Sequence, residues 1–157
     1  MYTENQIQII MTLEEKINPE LKAAMLAKDE AALRALRAVK SAILLAKTSG
    51  GGTISPEEEM KMLQKLVKQR KESVEIYQTQ NRADLAKGEI EEIAVIEKFL
   101  PKQMGEAEIK EELKKIIAQV GATSAAEMGK VMGVASKHFA GKADNKVVSV
   151  LVKQLLG

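Results

Sequence analysis

The sequence has 157 residues and contains no cysteine, no tryptophan and only three prolines. Without cysteine the chain has no disulfide, no thiolate nucleophile and no cysteine metal site, so packing alone must hold the fold together. We therefore expect a cytoplasmic location. No apolar run reaches the roughly 18 residues that span a bilayer, and the first eleven residues lack the pattern of a signal peptide. We expect no membrane association.

Aromatic residues are also scarce, since the chain has only Tyr2, Tyr77, Phe99 and Phe139. Folds that bind single-stranded RNA stack unpaired bases on such rings, so this class is disfavoured. An RNA ligand would have to be held by its backbone or its shape. The abundant residues, such as alanine, leucine, lysine and glutamate, are good helix formers, and the sequence predicts an all-α fold.

The first predicted helix begins near Thr12, because Thr12 and Glu15 have the spacing of a capping box. Residues 1 to 11 show no helical periodicity, and the sequence leaves open whether translation starts at Met1 or Met11. Asn18-Pro19 follows within the helix. Proline removes a backbone donor there, so this pair predicts either a kink or a new helix start with Asn18 as N-cap.

Two further helices are separated by a glycine loop. The segment from Asp29 to Lys47 has apolar residues at spacings of three and four, which is typical of an amphipathic helix. Gly50-Gly51-Gly52 interrupts it and is not a P-loop, since no Gly-Lys-Ser or Gly-Lys-Thr follows and no strand precedes it. Ser55-Pro56 then predicts an N-cap and first residue for a third helix that reaches about Gln78.

A fourth helix is predicted to continue to Leu100, with a stripe that includes Ala86, Ile90 and Ile96. Pro101 ends it, so we predict a boundary between an N-terminal four-helix domain, residues 12–100, and a smaller three-helix domain, residues 101–157. The helices of the second domain are predicted at Glu106 to Val120, Ser124 to about Phe139, and Asp144 to Leu156.

The sequence contains no recognisable catalytic constellation. His138 is the only histidine, and no spacing of carboxylates around it resembles a zinc or di-iron motif. The serines include no Gly-x-Ser-x-Gly elbow. We therefore predict no catalytic residues of the chain's own, no metal and no cofactor, and we identify no small-molecule substrate.

The strongest functional signal is the charge of the last thirty residues. This segment holds five lysines against Asp144 and carries +4, whereas the whole chain is only +2. Such asymmetry is typical of a surface that faces a polyanion. Two pairs are seven residues apart, which on a helix of about 3.6 residues per turn places each pair on one ridge. The pairs are Lys130 with Lys137 and Lys146 with Lys153.

Glycines accompany these lysines. Gly129 and Gly133 lie on one face of a predicted helix, where each costs about 1 kcal/mol relative to alanine, and this cost predicts the close approach of another backbone. Gly141-Lys142 opens the turn into the last helix, whose first amides could contact a phosphate. The alternative is that Asp144 already accepts hydrogen bonds from these amides.

A second basic cluster, Lys68, Arg70 and Lys71, lies in the third helix. Arg70 interrupts the apolar stripe of that helix. Its guanidinium either extends to solvent or pairs with a carboxylate of the next helix, or else it binds an anion, and the first interpretation is the commoner one.

Several segments together resemble the YqeY-like family, in order and over roughly Thr12 to Gly157. The N-terminal ones are Leu36-Arg37, Lys68-Gln69-Arg70-Lys71-Glu72-Ser73 through Tyr77, and Arg82-Ala83-Asp84-Leu85-Ala86. The later ones are Phe99-Leu100-Pro101-Lys102-Gln103, Met128-Gly129-Lys130-Val131-Met132-Gly133 and Gly141-Lys142-Ala143-Asp144. The Asn18-Pro19 pair departs from the continuous helix of the family.

The family resembles the C-terminal tail of the B subunit of the aspartyl/glutamyl-tRNA amidotransferase, a helical appendage that meets tRNA. The resemblance implies a tRNA-binding accessory protein, with carbon–nitrogen ligation from glutamine belonging to a larger complex. It places Gly129, Lys130, Gly133, Gly141 and Lys142 in the RNA-facing region. Lys137, Lys146 and Lys153 are added by charge geometry only. The alternative is a protein-interaction module, with the second basic cluster facing an acidic partner.

Overall fold

The protein was analysed as a computed structural model that describes residues 1–4, 6 and 11–157. The all-α prediction is confirmed, since these residues contain helices and no strand. We number the α-helices from the first one with described bounds: α1 Leu13–Ala27, α2 Glu30–Ser49, α3 Pro56–Thr79, α4 Ala83–Glu97, α5 Glu106–Val120, α6 Met128–His138 and α7 Asn145–Leu156. A short 3-10 turn, Ala125–Glu127, precedes α6.

The chain divides into two compact units, an N-terminal unit, Met1–Phe99, and a C-terminal unit, Leu100–Gly157. Helices α1 to α4 belong to the first and α5 to α7 to the second. The domain ranges 12–100 and 101–157 stay a prediction. None of the described helices combines the length and the apolar character that crossing a membrane requires.

Helix α1 begins where the capping box predicts. The Thr12 hydroxyl accepts from the backbone N–H of Glu15, and the Glu15 carboxylate accepts from the backbone N–H of Thr12. The predicted alternative of a new start at Asn18-Pro19 is wrong, because α1 continues through Pro19. Instead of capping, the Asn18 side chain accepts a hydrogen bond from Lys40 of α2 at 3.1 Å.

The expectation that residues 1 to 11 are not helical lies mostly outside the described residues. Of those described, Glu4 and Gln6 are helical.

The start of α3 also follows its capping signal, and Asp29, where the helix α2 was predicted to begin, is its N-cap. Asp29 caps α2 by accepting from the N–H of Ala32, and Ser55 with Glu58 forms the capping box of α3. The predicted stripe of α2 is its buried face, which supplies Leu33, Leu36, Val39 and Ile43 to the core.

Helix α4 departs from its prediction in two ways. It ends at Glu97, so Leu100 lies in the turn that follows it. Ile96 is buried, but Ile90 is 49% exposed although the periodicity placed it on the apolar stripe. Spacing alone gives the apolar side of a helix, and the packing of the neighbouring helices decides which positions of that side are covered.

The C-terminal unit is built around one apolar cluster to which all three of its helices contribute. Its largest fully buried side chain is Phe139. The other members are Ile109, Leu113, Ile116, Ala122, Val131, Ala135, Ala143, Val148, Leu151 and Val152. Gly121 ends α5 with a φ of +71°, as predicted for a glycine C-cap. The helix predicted from Ser124 instead begins as the 3-10 turn and becomes α-helical at Met128.

Candidate nucleic-acid interface

Helix α6 carries one lysine ridge on the side opposite its buried face. Val131 and Ala135 face the core and are fully buried. Lys130 and Lys137 lie about half a turn away from these residues and are exposed. The sequence therefore placed both ammonium groups on the solvent side correctly.

Lys130 has an acidic neighbour that the sequence prediction did not consider. Its ammonium lies 4.0 Å from the carboxylate of Glu127, three residues earlier. That carboxylate is already occupied, since it accepts hydrogen bonds from the backbone N–H of Thr123 at 2.6 Å and from the Thr123 hydroxyl at 3.3 Å. The bond from the Thr123 N–H lowers the pKa of the Glu127 carboxyl below its ordinary value. Lys130 is thus only weakly paired.

Glu127 also lies directly before the basic segment, which begins at Met128. With Glu127 included, the segment 127–157 has a net charge of +3 instead of +4. The sign of the segment is unchanged.

The two glycines of α6 do not serve the purpose predicted for them. A Cβ added at Gly129 or Gly133 would meet no heavy atom within 4 Å outside its chain neighbours and the adjoining backbone of α6, and both residues are exposed. The predicted close approach of another backbone is therefore absent from the described part of the chain. The two positions instead leave open space beside the lysine ridge of α6.

Gly141 is buried, although it was predicted to face RNA. Its φ of +76° is a left-handed conformation that favours glycine in this turn. Its carbonyl accepts a hydrogen bond from the Gln103 side chain at 2.8 Å, and the next carbonyl, that of Lys142, accepts from the N–H of Met104 at 3.0 Å. These bonds fix the turn and leave the Lys142 side chain exposed.

Helix α7 carries the second ridge. Val148 and Val152 are buried, and Lys146 and Lys153 lie on the opposite side and are exposed. Asp144 caps the helix by accepting from the backbone N–H of Lys146 at 2.9 Å. The alternative that Asp144 satisfies these amides is confirmed for one of them, that of Lys146.

Helix α5, which contributes to the same apolar core, differs from α6 and α7 in the pairing of its lysines. Each of its three lysines is paired with a glutamate one turn away, at 3.6, 3.2 and 3.4 Å. These are Lys110 with Glu106, Lys114 with Glu111 and Lys115 with Glu112.

Apart from Lys130, the lysines of α6, α7 and the turn between them lack such partners among the described residues. In the described part of the chain, no carboxylate oxygen lies within 4.0 Å of the ammonium of Lys137, Lys142, Lys146 or Lys153. Of the lysines in the C-terminal unit that have no such partner among the described residues, these four lie on α6, α7 and the turn that joins them, and the fifth, Lys102, precedes α5.

Two members of the second basic cluster in α3 are paired with glutamates of α4. Arg70 pairs with Glu92 at 3.4 Å and donates to the carbonyl of Leu66, which confirms the interpretation that it pairs with the next helix. Lys71 lies 3.6 Å from Glu97. Lys68 also has an interaction partner.

The only histidine of the chain, His138, contacts two side chains of the C-terminal unit. His138 lies 3.4 Å from a Glu112 carboxylate oxygen and packs edge-to-face on Phe139. Among the described residues, no serine or threonine hydroxyl is hydrogen-bonded to it, and no three histidine, aspartate or glutamate side chains converge as metal ligands. The described residues around His138 therefore provide no nucleophile with an adjacent base. The exposed lysines of α6, α7 and the turn between them can attract a polyanion.

Comparison with known proteins adds the family. The model of the family described as Yqey-like protein matches residues 14–156. A protein of Clavispora lusitaniae, named altered inheritance of mitochondria protein 41, mitochondrial, is 37% identical over 68% of this chain. The match spans 63% of that relative, which is less than two thirds of its length. A protein of the same name from Pyrenophora tritici-repentis is 28% identical over 90% of this chain and 80% of its own length.

The names of these relatives correct one expectation. Both are mitochondrial proteins by name, so the predicted cytoplasmic location is contradicted. The absence of cysteine, on which that prediction rested, excludes disulfides but does not distinguish between reducing compartments.

Proposed function

Since the chain belongs to the YqeY-like family, we propose that its C-terminal unit binds folded RNA such as tRNA through backbone phosphates. The observation that carries this proposal is the contrast within one small unit. The lysines of α5 are paired with glutamates, whereas in the described part of the chain those of α6, α7 and the turn between them are not, apart from the weak pair of Lys130 with Glu127. Lysines that hold no carboxylate gain most from a phosphate, because its approach breaks no ion pair and releases counterions.

An enzymatic role of the isolated chain has less support. Glutamine hydrolysis needs an activated nucleophile and stabilisation of an oxyanion, and the one histidine is paired with Glu112. Carbon–nitrogen ligation with glutamine as amide donor is therefore proposed only for a larger complex to which the protein would contribute RNA binding. Glutaminase turnover by the purified chain would contradict this assignment.

The test is a fluorescence-polarisation titration of the full chain with labelled tRNA at several salt concentrations. One variant replaces Lys137, Lys146 and Lys153 by glutamine. Its matched control replaces Lys110, Lys114 and Lys115 by glutamine, which changes the net charge equally, within the same unit and on lysines that are already paired.

We expect the first variant to lose affinity and to flatten the salt dependence by about one unit of slope for each lost phosphate contact. The control should retain most of the affinity of the unmodified chain. Equal losses in both variants would show that only the total charge matters, and no loss in either would refute the proposed surface.

The alternative of a protein-interaction module is less favoured, because Arg70 and Lys71 already pair with glutamates of α4. Affinity capture from lysate with and without ribonuclease separates the two proposals. Partners that survive the nuclease would favour protein contact, and partners that disappear would favour RNA.

A further inference from the structure

We infer that the RNA recognised by the C-terminal unit is paired rather than unpaired, an inference that rests on the proposed function and adds the class of ligand to it. Unpaired RNA is usually gripped by stacking its bases on aromatic rings or on arginine planes. The question is therefore which planar groups this unit exposes.

The surface of the unit offers almost none. Its single Phe, Tyr or Trp residue is Phe139, which is 0% exposed in the centre of the core. The imidazole of His138 is the only other aromatic ring; its side chain is 44% exposed and contacts Glu112 and the ring of Phe139. A single imidazole gives no platform on which successive bases could stack.

The cations of the unit are of one kind only. All four arginines of the chain, Arg34, Arg37, Arg70 and Arg82, precede residue 100, so every basic group of the C-terminal unit apart from His138 is a lysine. A lysine ammonium is a point charge that suits a phosphate, whereas the flat guanidinium of arginine also stacks and reads base edges. The unit is thus equipped for phosphates and not for bases.

Phosphate binding of this kind favours a duplex. The salt dependence of binding is about −0.9 per neutralised phosphate for a double helix and about −0.7 for a single strand, because the duplex carries the denser counterion layer. A duplex is also rigid, so it can meet ridges on rigid helices without an ordering cost. A single strand would have to be ordered without stacking energy to offset that cost.

The size of the effect follows from the four lysines of α6, α7 and the turn between them that meet no carboxylate in the described part of the chain, Lys137, Lys142, Lys146 and Lys153. If each contacts one phosphate, the slopes are about −3.6 for a duplex and about −2.8 for a single strand. Lowering the salt tenfold then strengthens duplex binding about sixfold more than single-strand binding, which a titration resolves.

The experiment compares two fluorescent probes on the full chain. One is an RNA duplex of about 16 base pairs, a length that duplex-binding domains span. The other is a polyuridine strand of the same length, which forms no pairs. Each probe is titrated at several salt concentrations with the unmodified chain and with the triple-glutamine variants of the two lysine sets.

We expect tighter binding and a steeper salt slope for the duplex, and we expect the variant at Lys137, Lys146 and Lys153 to lose that preference while the α5 control keeps it. Equal or tighter binding of polyuridine would overturn the inference and leave the proposed RNA binding intact. A duplex preference that survives in the first variant would also overturn it, since another surface would be responsible. Binding of neither probe nor of tRNA would refute the proposed function itself.

Discussion

Glu92 in α4 is the centre of an ion-pair network, and its removal should destabilise the N-terminal unit. Its carboxylate lies 3.4 Å from Arg70 and 3.6 Å from Arg34. The side chains of Arg70 and Glu92 are only 15% and 14% exposed, and the Arg70 Nε is buried without a hydrogen-bond partner. The guanidinium of Arg70 therefore depends on Glu92 and on the Leu66 carbonyl for nearly all of its compensation.

Replacing Glu92 and replacing Arg70 should change the free energy of unfolding by different amounts. Replacing Glu92 by alanine leaves the Arg70 charge largely buried, and we expect a loss of about 2–3 kcal/mol, less than for a fully buried pair because some solvent reaches both groups. Replacing Arg70 by methionine keeps an apolar side chain of similar length, and Glu92 retains Arg34. We expect this variant to lose about 1 kcal/mol or less.

Urea unfolding followed by tyrosine fluorescence measures this difference in the relevant unit. Both tyrosines, Tyr2 and Tyr77, lie in the N-terminal unit, and the chain has no tryptophan to obscure them. Replacing Lys71 by glutamine is the control, since its pair with Glu97 is 59% and 37% exposed and should contribute less than about 1 kcal/mol. If the Arg70 variant is destabilised as much as the Glu92 variant, the assignment of Glu92 as the centre of the network is wrong.

Three further predictions concern the C-terminal unit. Replacing Phe139 by alanine should cost about 3–5 kcal/mol in urea unfolding followed by circular dichroism, because the ring is 0% exposed; a loss below 1 kcal/mol would contradict its place in the core. Replacing Gly129 and Gly133 by alanine should raise stability by about 0.5–1 kcal/mol each, since the added methyl groups meet open space; a lower melting temperature would show an unrecognised contact. The Glu127 carboxyl should titrate in NMR below its ordinary pKa of 4.5. Because the pKa of this carboxyl is lowered in the folded state, its contribution to the stability of the fold is present above pH 4.5 and is lost as the pH falls through its pKa in the folded protein. A titration midpoint at or above 4.5 would contradict the hydrogen bonds from Thr123.

The positions of the helices were largely predictable because local signals govern them. The capping boxes at Thr12 and Ser55 and the glycine stop at Gly121 use residues within one turn of the helix end, so their spacing in the sequence is sufficient. Pro19 was harder. Proline disfavours a helix interior locally, but α1 continues through it and Asn18 of that segment bonds to Lys40 of α2.

For the candidate interface, periodicity correctly placed Lys130 and Lys137 opposite the core-facing residues of α6. It could not show that Gly141 is buried, since this depends on Gln103, which is 38 residues away in the sequence. Nor could it show that Gly129 and Gly133 face open space, because an absent neighbour has no local signature.

The sequence by itself determined the helical class, most helix ends and the excess of lysine near the C-terminus, because composition, capping and periodicity are properties of neighbouring residues. The tertiary structure decided which of those charges remain uncompensated. Arg70 and Lys71 are matched by glutamates of another helix and the α5 lysines by glutamates one turn away, whereas Lys137, Lys146 and Lys153 meet no carboxylate in the part of the chain that the structure describes. Charge compensation depends on distances of a few ångströms between side chains, and those distances are set only when the helices pack.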